Sequence, residues 1–174
     1  MMRKALLTAS ILALAAAPAM AQTPAPPPWA LSLGLWYGHN LKESDSGSGD
    51  KTSNLTGPEI RLDYALDQNW SLYGDLVVFN TVGTSSNNGW GSRVAIGASH
   101  LWDFGAWHPY VGPKLGYISG RGVEDGAIVG PELGLRYDLA GKSYLYAQLA
   151  YDHDTRNAFN EGIVNGGLGV GLRF

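Results

Sequence analysis

Apolar residues alternate with small, polar or charged residues along most of this chain. In residues 29–37, WALSLGLWY, every odd position is apolar and most positions between them are small. In residues 59–67, EIRLDYALD, the apolar residues alternate mainly with acidic and basic ones. A period of two is typical of a β-strand, because successive side chains point to opposite faces of a sheet. The pattern therefore predicts strands with one apolar face and one small or charged face.

This alternation predicts eight strands joined by connections of alternating length. The strands span residues 29–39, 58–67, 70–80, 90–102, 107–119, 127–139, 143–153 and 163–174. The long connections, rich in Gly, Ser, Asn and Asp, are residues 40–57, 81–89, 120–126 and 154–162. Residues 57–76 also align without gaps on residues 130–149, at an offset of two hairpins. Such a duplication indicates a closed sheet with an even number of strands.

Charged residues collect on the face that is not apolar. They are Glu59, Arg61, Asp63, Asp75, Arg93, Lys114, Glu132, Arg136, Asp152 and Arg173, five acids and five bases. A soluble barrel would turn this face to solvent, whereas a transmembrane barrel would turn it inward. Charge alone leaves both architectures open.

Aromatic residues on the apolar face distinguish the two architectures. They fall at the two ends of the predicted strands, as a pair of membrane girdles. The girdle residues are Trp29, Tyr37, Tyr64, Trp70, Trp90, Trp102, Trp107, Tyr117, Tyr137 and Tyr151. Indole and phenol rings settle at the headgroup boundary of a bilayer, and lipid also requires the sheet to close. The predicted fold class is all-β, an eight-stranded antiparallel up-and-down transmembrane β-barrel.

Composition divides the chain into three segments. Residues 1–21 combine two early cations, a short apolar run and an Ala-Met-Ala triplet, which predicts a signal peptide. Residues 22–28 are proline-rich and are interpreted as a periplasmic spacer, and residues 29–174 form the barrel domain. The chain has no cysteine, which excludes disulfides and thiolate catalysis. Acidic residues outnumber basic ones, so we expect no nucleic-acid partner.

The chain ends in LGVGLRF, with Leu168, Val170, Leu172 and Phe174 on the apolar face. With NWSLYGDL from residue 69 and HPYVGPKLGY from residue 108, this ending resembles the small eight-stranded outer-membrane barrels of Gram-negative bacteria. That group includes the transmembrane domain of outer membrane protein A, outer membrane protein X and the opacity-type antigens. The resemblance implies an outer-membrane location in contact with lipid and lipopolysaccharide. It also implies that the four apolar terminal residues are a signal for the barrel assembly machinery.

The main functional interpretation is a non-enzymatic role. We expect a structural or surface protein that contributes to envelope integrity, adhesion or ligand contact. The four long connections would face the cell exterior and contact a surface ligand. The sequence does not identify that ligand.

One stretch suggests catalysis instead. Residues 151–163, YDHDTRNAFNEGI, contain His153, Thr155 and Glu161, a potential base, hydroxyl nucleophile and acid. A hydroxyl nucleophile needs a base within hydrogen-bond reach and a third group that orients the base. The order resembles the lipid A 3-O-deacylase family, which implies His153 as base and Thr155 in the nucleophile's place. An acyl hydrolase is therefore an alternative function.

The stretch departs from the deacylase pattern at several positions. Threonine replaces the family's serine, and Arg156 replaces its asparagine. Val164 or Asn165 stands where the family's acid would fall. The main interpretation is therefore a polar strand end that runs into a surface loop.

A narrow pore is the second alternative. The interior of an eight-stranded barrel is just wide enough for side chains to fill, which favours paired charges over a conducting path. Trp36 is predicted to face this interior near the first loop, where it would cap the mouth or contact a ligand. The predicted positions of His39, His100 and His108 do not converge, so we expect no metal site and no cofactor.

Overall fold

The computed structural model describes residues 28–41, 54–82, 89–121, 123–139, 141–155 and 162–174. They form eight strands: β1 (Trp29–Asn40), β2 (Asn54–Ala65), β3 (Trp70–Val82), β4 (Gly89–Leu101), β5 (Trp107–Gly120), β6 (Gly126–Asp138), β7 (Ser143–Asp154) and β8 (Gly162–Arg173). Over the described ranges, no helix has the length and apolar character needed to cross a membrane. The predicted signal peptide and most of the spacer lie outside the described residues.

The eight strands form one closed barrel in chain order, and each strand pairs antiparallel with its neighbours. The first and last strands close it, in a register that runs from Ala30 opposite Arg173 to Asn40 opposite Ile163. The Phe174 N–H donates to the Trp29 carbonyl at 2.9 Å, so both ends of the barrel chain meet on one side. The predicted fold class is confirmed.

Strand β2 differs most from its predicted bounds. The prediction began at residue 58, but β2 begins at Asn54, and residues 54–56 pair with both β1 and β3. Leu55 is fully buried in the interior, so the alternation simply continues outward. The Asn, Thr and Gly of this stretch are typical of turns, which is why the predicted loop 40–57 was too long. The other strands lie within two residues of prediction, and the four long connections shorten to residues 41–53, 83–88, 121–125 and 155–161.

Tight turns end the strands on the opposite side, at residues 66–69, 102–106 and 139–142. The long-loop end is called the extracellular end below and the short-turn end the periplasmic end, after the orientation that the sequence predicts. The Asp67 Oδ1 atom accepts hydrogen bonds from the N–H groups of Asn69 and Trp70, at 2.7 and 2.8 Å. This side-chain turn ends β2 at Ala65, two residues before the predicted end. Gly105 and Gly141 have φ angles of 74° and 78°, which favour glycine in the other two turns.

Alternation along the strands gives the barrel an apolar outer face and a mixed inner face. The outer face exposes a broad belt of aliphatic side chains that includes Leu33, Leu35, Ile96, Leu115, Leu149 and Leu168. An exposed apolar area of this extent is typical of a surface that contacts lipid. The inner face carries buried charges, tyrosines and a compact apolar cluster. The interior is therefore the part of the molecule in which a pore or a polar site would lie.

Candidate functional site

The centre of the interior is occupied by a continuous chain of eight charges that alternate in sign. In order, they are Asp75, Arg93, Asp152, Lys114, Glu132, Arg61, Asp63 and Arg136. These residues come from β2, β3, β4, β5, β6 and β7, so the chain connects six of the eight strands. All eight are buried. Each charge inside the chain thus has an opposite charge on both sides, which offsets the desolvation cost of burial.

Arg93 connects the first two acids of this series of charges, Asp75 and Asp152. Its Nη1 atom lies 2.8 Å from Asp75 Oδ1, and its Nε atom lies 3.0 Å from Asp152 Oδ2. Lys114 Nζ lies 2.8 Å from Asp152 Oδ1 but makes no hydrogen bond of regular geometry there, so this contact is an ion pair. Lys114 Nζ also lies 4.0 Å from Glu132 Oε2, the longest step of the chain.

Arg61 joins the second part. Its guanidinium lies 2.6 Å from Glu132 and 3.1 Å from Asp63, and Arg136 Nη2 lies 2.5 Å from the same Asp63 oxygen. The Arg61 guanidinium also stacks over the ring of Tyr73, 3.7 Å from its centroid. Planar guanidinium groups suit such sites because they can pair with carboxylates and stack on aromatic faces together.

Glu59 lies beside the chain and is held by neutral donors. Its carboxylate accepts hydrogen bonds from the Tyr146 hydroxyl at 3.0 Å and the Gln148 amide at 2.7 Å. With Glu59, the described centre of the interior contains five acids and four bases. The predicted fifth base, Arg173, lies at the periplasmic opening, where both of its Nη atoms pair with Asp138 at 2.6 and 2.9 Å. The centre of the interior therefore contains one basic residue fewer than the five acids and five bases that the sequence predicts.

The extracellular end of the interior is closed by an apolar plug. It consists of Trp36, Leu55, Val77, Phe79, Ile118, Ile128 and Ile163, with Val123 packed against it. The Trp36 indole N–H donates to Asn165 Oδ1 at 3.1 Å, and the Asn165 amide donates to Asp152 at 2.9 Å. The plug is thus bonded to the charged centre below it. The sequence left open whether Trp36 caps the mouth of the barrel or contacts a ligand, and its position in the plug favours the cap.

The plug is the feature that the sequence analysis did not identify, apart from Trp36. A signal was present, because the plug residues share strand parity with the buried charges. Val77 and Phe79 follow Asp75 at intervals of two, and Ile118 lies four residues after Lys114. These residues look like members of the lipid-facing belt unless the parity of each strand is followed to its extracellular end.

The periplasmic third of the interior is filled by tyrosines and serines. The Tyr144 hydroxyl hydrogen-bonds the Ser32 hydroxyl at 2.7 Å. Tyrosine rings cover inward-facing glycines, Tyr73 over Gly97 and Tyr110 over Gly134. The absence of a side chain at these glycines leaves space for the rings. All three layers of the interior are therefore occupied by side chains.

The predicted girdle residues lie on the outer face, as the alternation requires. At the short-turn end, ring pairs form across neighbouring strands: Trp29 with Tyr64 at 4.7 Å and Trp107 with Tyr137 at 4.5 Å between centroids. His100 lies between Trp70 and Trp102, 4.9 and 4.7 Å from their centroids. At the long-loop end, Tyr37, Trp90 and Tyr117 are exposed and Tyr151 is partly exposed. Leu168, Val170, Leu172 and Phe174, the predicted assembly signal, are exposed on this face too.

The candidate catalytic residues lie at the extracellular end of β7. His153 alternates with buried Asp152, which places it on the outer face, and its ring stacks on Tyr151 at 6.4 Å between centroids. The Thr155 hydroxyl donates to the Ala127 carbonyl at 3.3 Å, so its proton is directed to the backbone. Asn165, one of the two residues at the position of the deacylase acid, is buried in the interior. Glu161 and Arg156 lie outside the described residues.

The remaining histidines lie far apart around the barrel. His39 Nδ1 is 2.9 Å from Asn54 Oδ1 near the extracellular end, and His108 Nε2 is 3.3 Å from Asp138 at the periplasmic opening. In the part of the chain that the structure describes, no group of three His, Asp or Glu residues could hold a metal ion.

No family model and no curated protein matches this sequence. Solved structures do share its fold. Neisserial surface protein A superposes with a TM-score of 0.66 at 15% identity, over 84% of this chain and 97% of that one. Ail, the attachment invasion locus protein of Yersinia pestis, gives 0.55 at 16% identity over 84% and 97%, in a complex with the heparin analogue sucrose octasulfate. The N-terminal barrel domain of Pseudomonas aeruginosa OprF gives 0.53 at 17% identity over 83% and 97%.

These three structures are small eight-stranded outer-membrane barrels, and this chain has the same fold. At identities of 15–17%, the similarity concerns the fold. The function has to be argued from the interior, the outer face and the loops of this chain.

Proposed function

We propose that this protein is a non-enzymatic barrel of the Gram-negative outer membrane, which holds four extracellular loops for contact with a surface ligand or a neighbouring cell. The single observation that carries the proposal is the filled interior. The charged centre, the apolar plug and the tyrosine layer together place buried side chains at three levels of the described interior. An interior packed with buried side chains supports a scaffold role over a transport role, because an eight-stranded barrel is just wide enough for its side chains to fill it.

The buried charges support a scaffold rather than a narrow pore. A conducting lumen needs charged groups that face water, whereas each member of the alternating chain is buried and paired. The apolar plug adds a second barrier, because an ion would lose its hydration shell there without receiving ligands. The narrow-pore alternative is therefore not proposed.

The loops are the surface on which a ligand from outside the membrane would bind. Two of the proteins with this fold are described as a surface protein and an attachment protein, and the latter binds a heparin analogue. The loops of this chain carry four basic and six acidic residues between them. This acidic excess does not favour a polyanion such as heparin, so the proposed partner is a neutral or cationic surface.

The surface role is tested by adhesion of bacteria that express the protein. Replacement of residues 42–53, all but the first residue of the longest loop, by a short Gly-Ser linker should reduce binding to host cells or matrix. A scrambled version of the same twelve residues is the matched control, because it keeps loop length and charge. If wild-type expression confers no binding to any surface tested, and no loop replacement alters the envelope's resistance to detergent, the proposed role is wrong.

We also propose that Leu168, Val170, Leu172 and Phe174 form the signal for the assembly machinery. All four are exposed on one face of the closing strand, so the machinery could read them before the barrel closes. Phe174→Ala should lower the yield of barrel in the outer membrane several-fold. Phe104→Ala is the control, since Phe104 is also exposed at the periplasmic end but lies in a turn. Equal yields for the two variants would count against the signal.

An acyl hydrolase is less well supported, because the Thr155 hydroxyl donates to a backbone carbonyl. Mass spectrometry of lipid A, from cells with and without the folded barrel, tests this alternative directly. We expect identical lipid A. The loss of one acyl chain, abolished by His153→Ala, would make the protein an enzyme and would overturn the proposal.

A further inference from the structure

The outer face of the barrel is not a uniform aliphatic wall, because an oblique apolar groove crosses it from β2 to β6. Its volume is about 620 Å³, within the range of about 300–1,000 Å³ that is usual for small-molecule sites. The upper side is a row of residues paired across strands, which runs from Leu62 through Ile96 to Val129. The lower side runs from Tyr64 through Leu72 towards Pro113.

Small residues at the centre of both rows create the groove. Gly74 occupies the upper row between Leu62 and Ile96, and Ala98 occupies the lower row opposite Leu72. A Cβ atom added to Gly74 would approach no atom closer than 3.8 Å, so the packing of the barrel does not require glycine there. Gly97, on the opposite face of the next strand, differs because a Cβ there would collide with the Tyr73 ring. The open space at Gly74 thus belongs to the outer face alone.

The groove rises from the periplasmic girdle into the membrane. It begins at the ring pair of Trp29 and Tyr64 and ends at Val129, nine residues from the periplasmic end of β6. Leu62 lies two residues above Tyr64, and four inter-strand steps of about 4.8 Å lead from Leu62 to Val129. With strands tilted by roughly 45°, the two parts together rise about 18 Å, which is more than one leaflet of a hydrocarbon core about 30 Å thick. A chain that enters at the periplasmic girdle and fills the groove therefore passes the bilayer midplane.

We propose that this groove binds one acyl chain of a phospholipid from the periplasmic leaflet, and holds it longer than the surrounding lipid. The groove opens on the lipid-facing side of a transmembrane barrel, so its occupant comes from the bilayer. A chain inside it contacts protein on three sides, whereas a chain on the neighbouring belt contacts protein on one side, and dispersion contacts add up with area. The groove starts at the periplasmic girdle, where the Trp29 indole N–H and Tyr64 hydroxyl suit the polar ester region of that leaflet.

Native mass spectrometry of the full barrel, released from nanodiscs of palmitoyl-oleoyl phosphatidylethanolamine, tests the proposal. Wild-type protein should retain one phospholipid under activation that removes the others. Ala98→Leu adds a branched side chain to the groove and should reduce the retained fraction about tenfold, because it displaces about two buried methylene contacts. Ala147→Leu is the matched control, since Ala147 is exposed on the outer face of β7, away from the groove, and should leave retention unchanged.

A second measurement on wild-type protein remains informative if Ala98→Leu fails to fold. A phosphatidylethanolamine with a photoreactive diazirine in one acyl chain should crosslink preferentially to peptides from β3 and β4 that line the groove. Crosslinks spread evenly around the eight strands, or equal lipid retention in all variants, would overturn the proposal. Preferential retention of lipid A in mixed nanodiscs, lost in Ala98→Leu, would also overturn it, because the occupant would then come from the outer leaflet.

Discussion

The centre of the barrel interior and its extracellular end are filled by opposite chemistry. The centre contains the alternating chain of charges, in which Arg93, Lys114 and Arg61 each bridge two carboxylates. The extracellular end contains aliphatic and aromatic residues around Trp36 and Phe79. The two layers join at Asn165, which bonds to both Trp36 and Asp152. The same eight strands thus build a salt-bridged layer and a hydrophobic core, one above the other.

The difference shows how each layer is stabilised. In the centre, a side chain is stable only while its opposite charges remain, because a buried unpaired charge is costly. In the plug, stability comes from filled space, and a lost side chain leaves a cavity. Substitutions should therefore have effects of different origin in the two layers, which can be measured separately.

The largest effect is expected for Arg93→Met in the charged centre. Methionine keeps much of the volume but leaves Asp75 and Asp152 without their shared guanidinium. Removal of one partner from a buried ion pair costs about 3–5 kcal/mol, so the free energy of unfolding should fall by about that amount. Urea unfolding of the refolded barrel in lipid vesicles, followed by tryptophan fluorescence, measures it.

Arg173→Met is the control for this effect, with a much smaller expected loss. Arg173 pairs with Asp138 through two hydrogen bonds, but both side chains are partly exposed at the periplasmic opening. An exposed pair is worth about 1 kcal/mol or less. Equal losses for Arg93→Met and Arg173→Met would show that the buried chain is not a distinct layer.

The next largest effect is expected for Phe79→Ala in the plug. Loss of a buried phenyl ring costs about 3 kcal/mol or more through lost transfer energy and the cavity left behind. Its outward neighbour Val78 supplies the control, because lipid refills the space that Val78→Ala vacates, and the loss should stay below about 1 kcal/mol. The same unfolding assay applies, and similar losses at both positions would contradict the presence of a packed plug.

A smaller effect is expected when glycine is replaced by alanine, and it should differ between the interior face of β4 and the outer face of β3. Gly97→Ala places a Cβ against the Tyr73 ring in the interior and should cost about 1–3 kcal/mol through overpacking. Gly74→Ala points into the open groove and should be neutral or stabilising by less than about 1 kcal/mol, since alanine restricts the unfolded chain. A loss at Gly74 as large as that at Gly97 would show that the groove is closed by other atoms.

Strand alternation made most of this architecture predictable from the sequence. The barrel, its strand number and the placement of charges and girdle aromatics on opposite faces all follow from a period of two. The start of β2 did not follow, because the turn-forming residues Asn54 and Gly57 continue a strand here. The position of Arg173 at the barrel opening could not be predicted either, since its partner Asp138 belongs to another hairpin.

The pairing order of the interior charges could not be read from the sequence. It depends on the stagger of the strands around the barrel, which brings Arg61 of β2 against Glu132 of β6 across the lumen. The groove was hidden for the same reason, because Gly74 and Ala98 become neighbours only through the register of β3 and β4. Single-strand patterns predict which face a residue occupies, whereas register determines what it meets there.

The most direct test of the closed interior is single-barrel conductance in planar bilayers. Wild-type protein, with insertion verified by fluorescence, should give no stable current steps, and Trp36→Ala combined with Phe79→Ala should give at most brief ones because the charged centre remains below the plug. Reproducible, long-lived steps from the wild-type barrel would contradict the account, since they would require a continuous aqueous path through both layers.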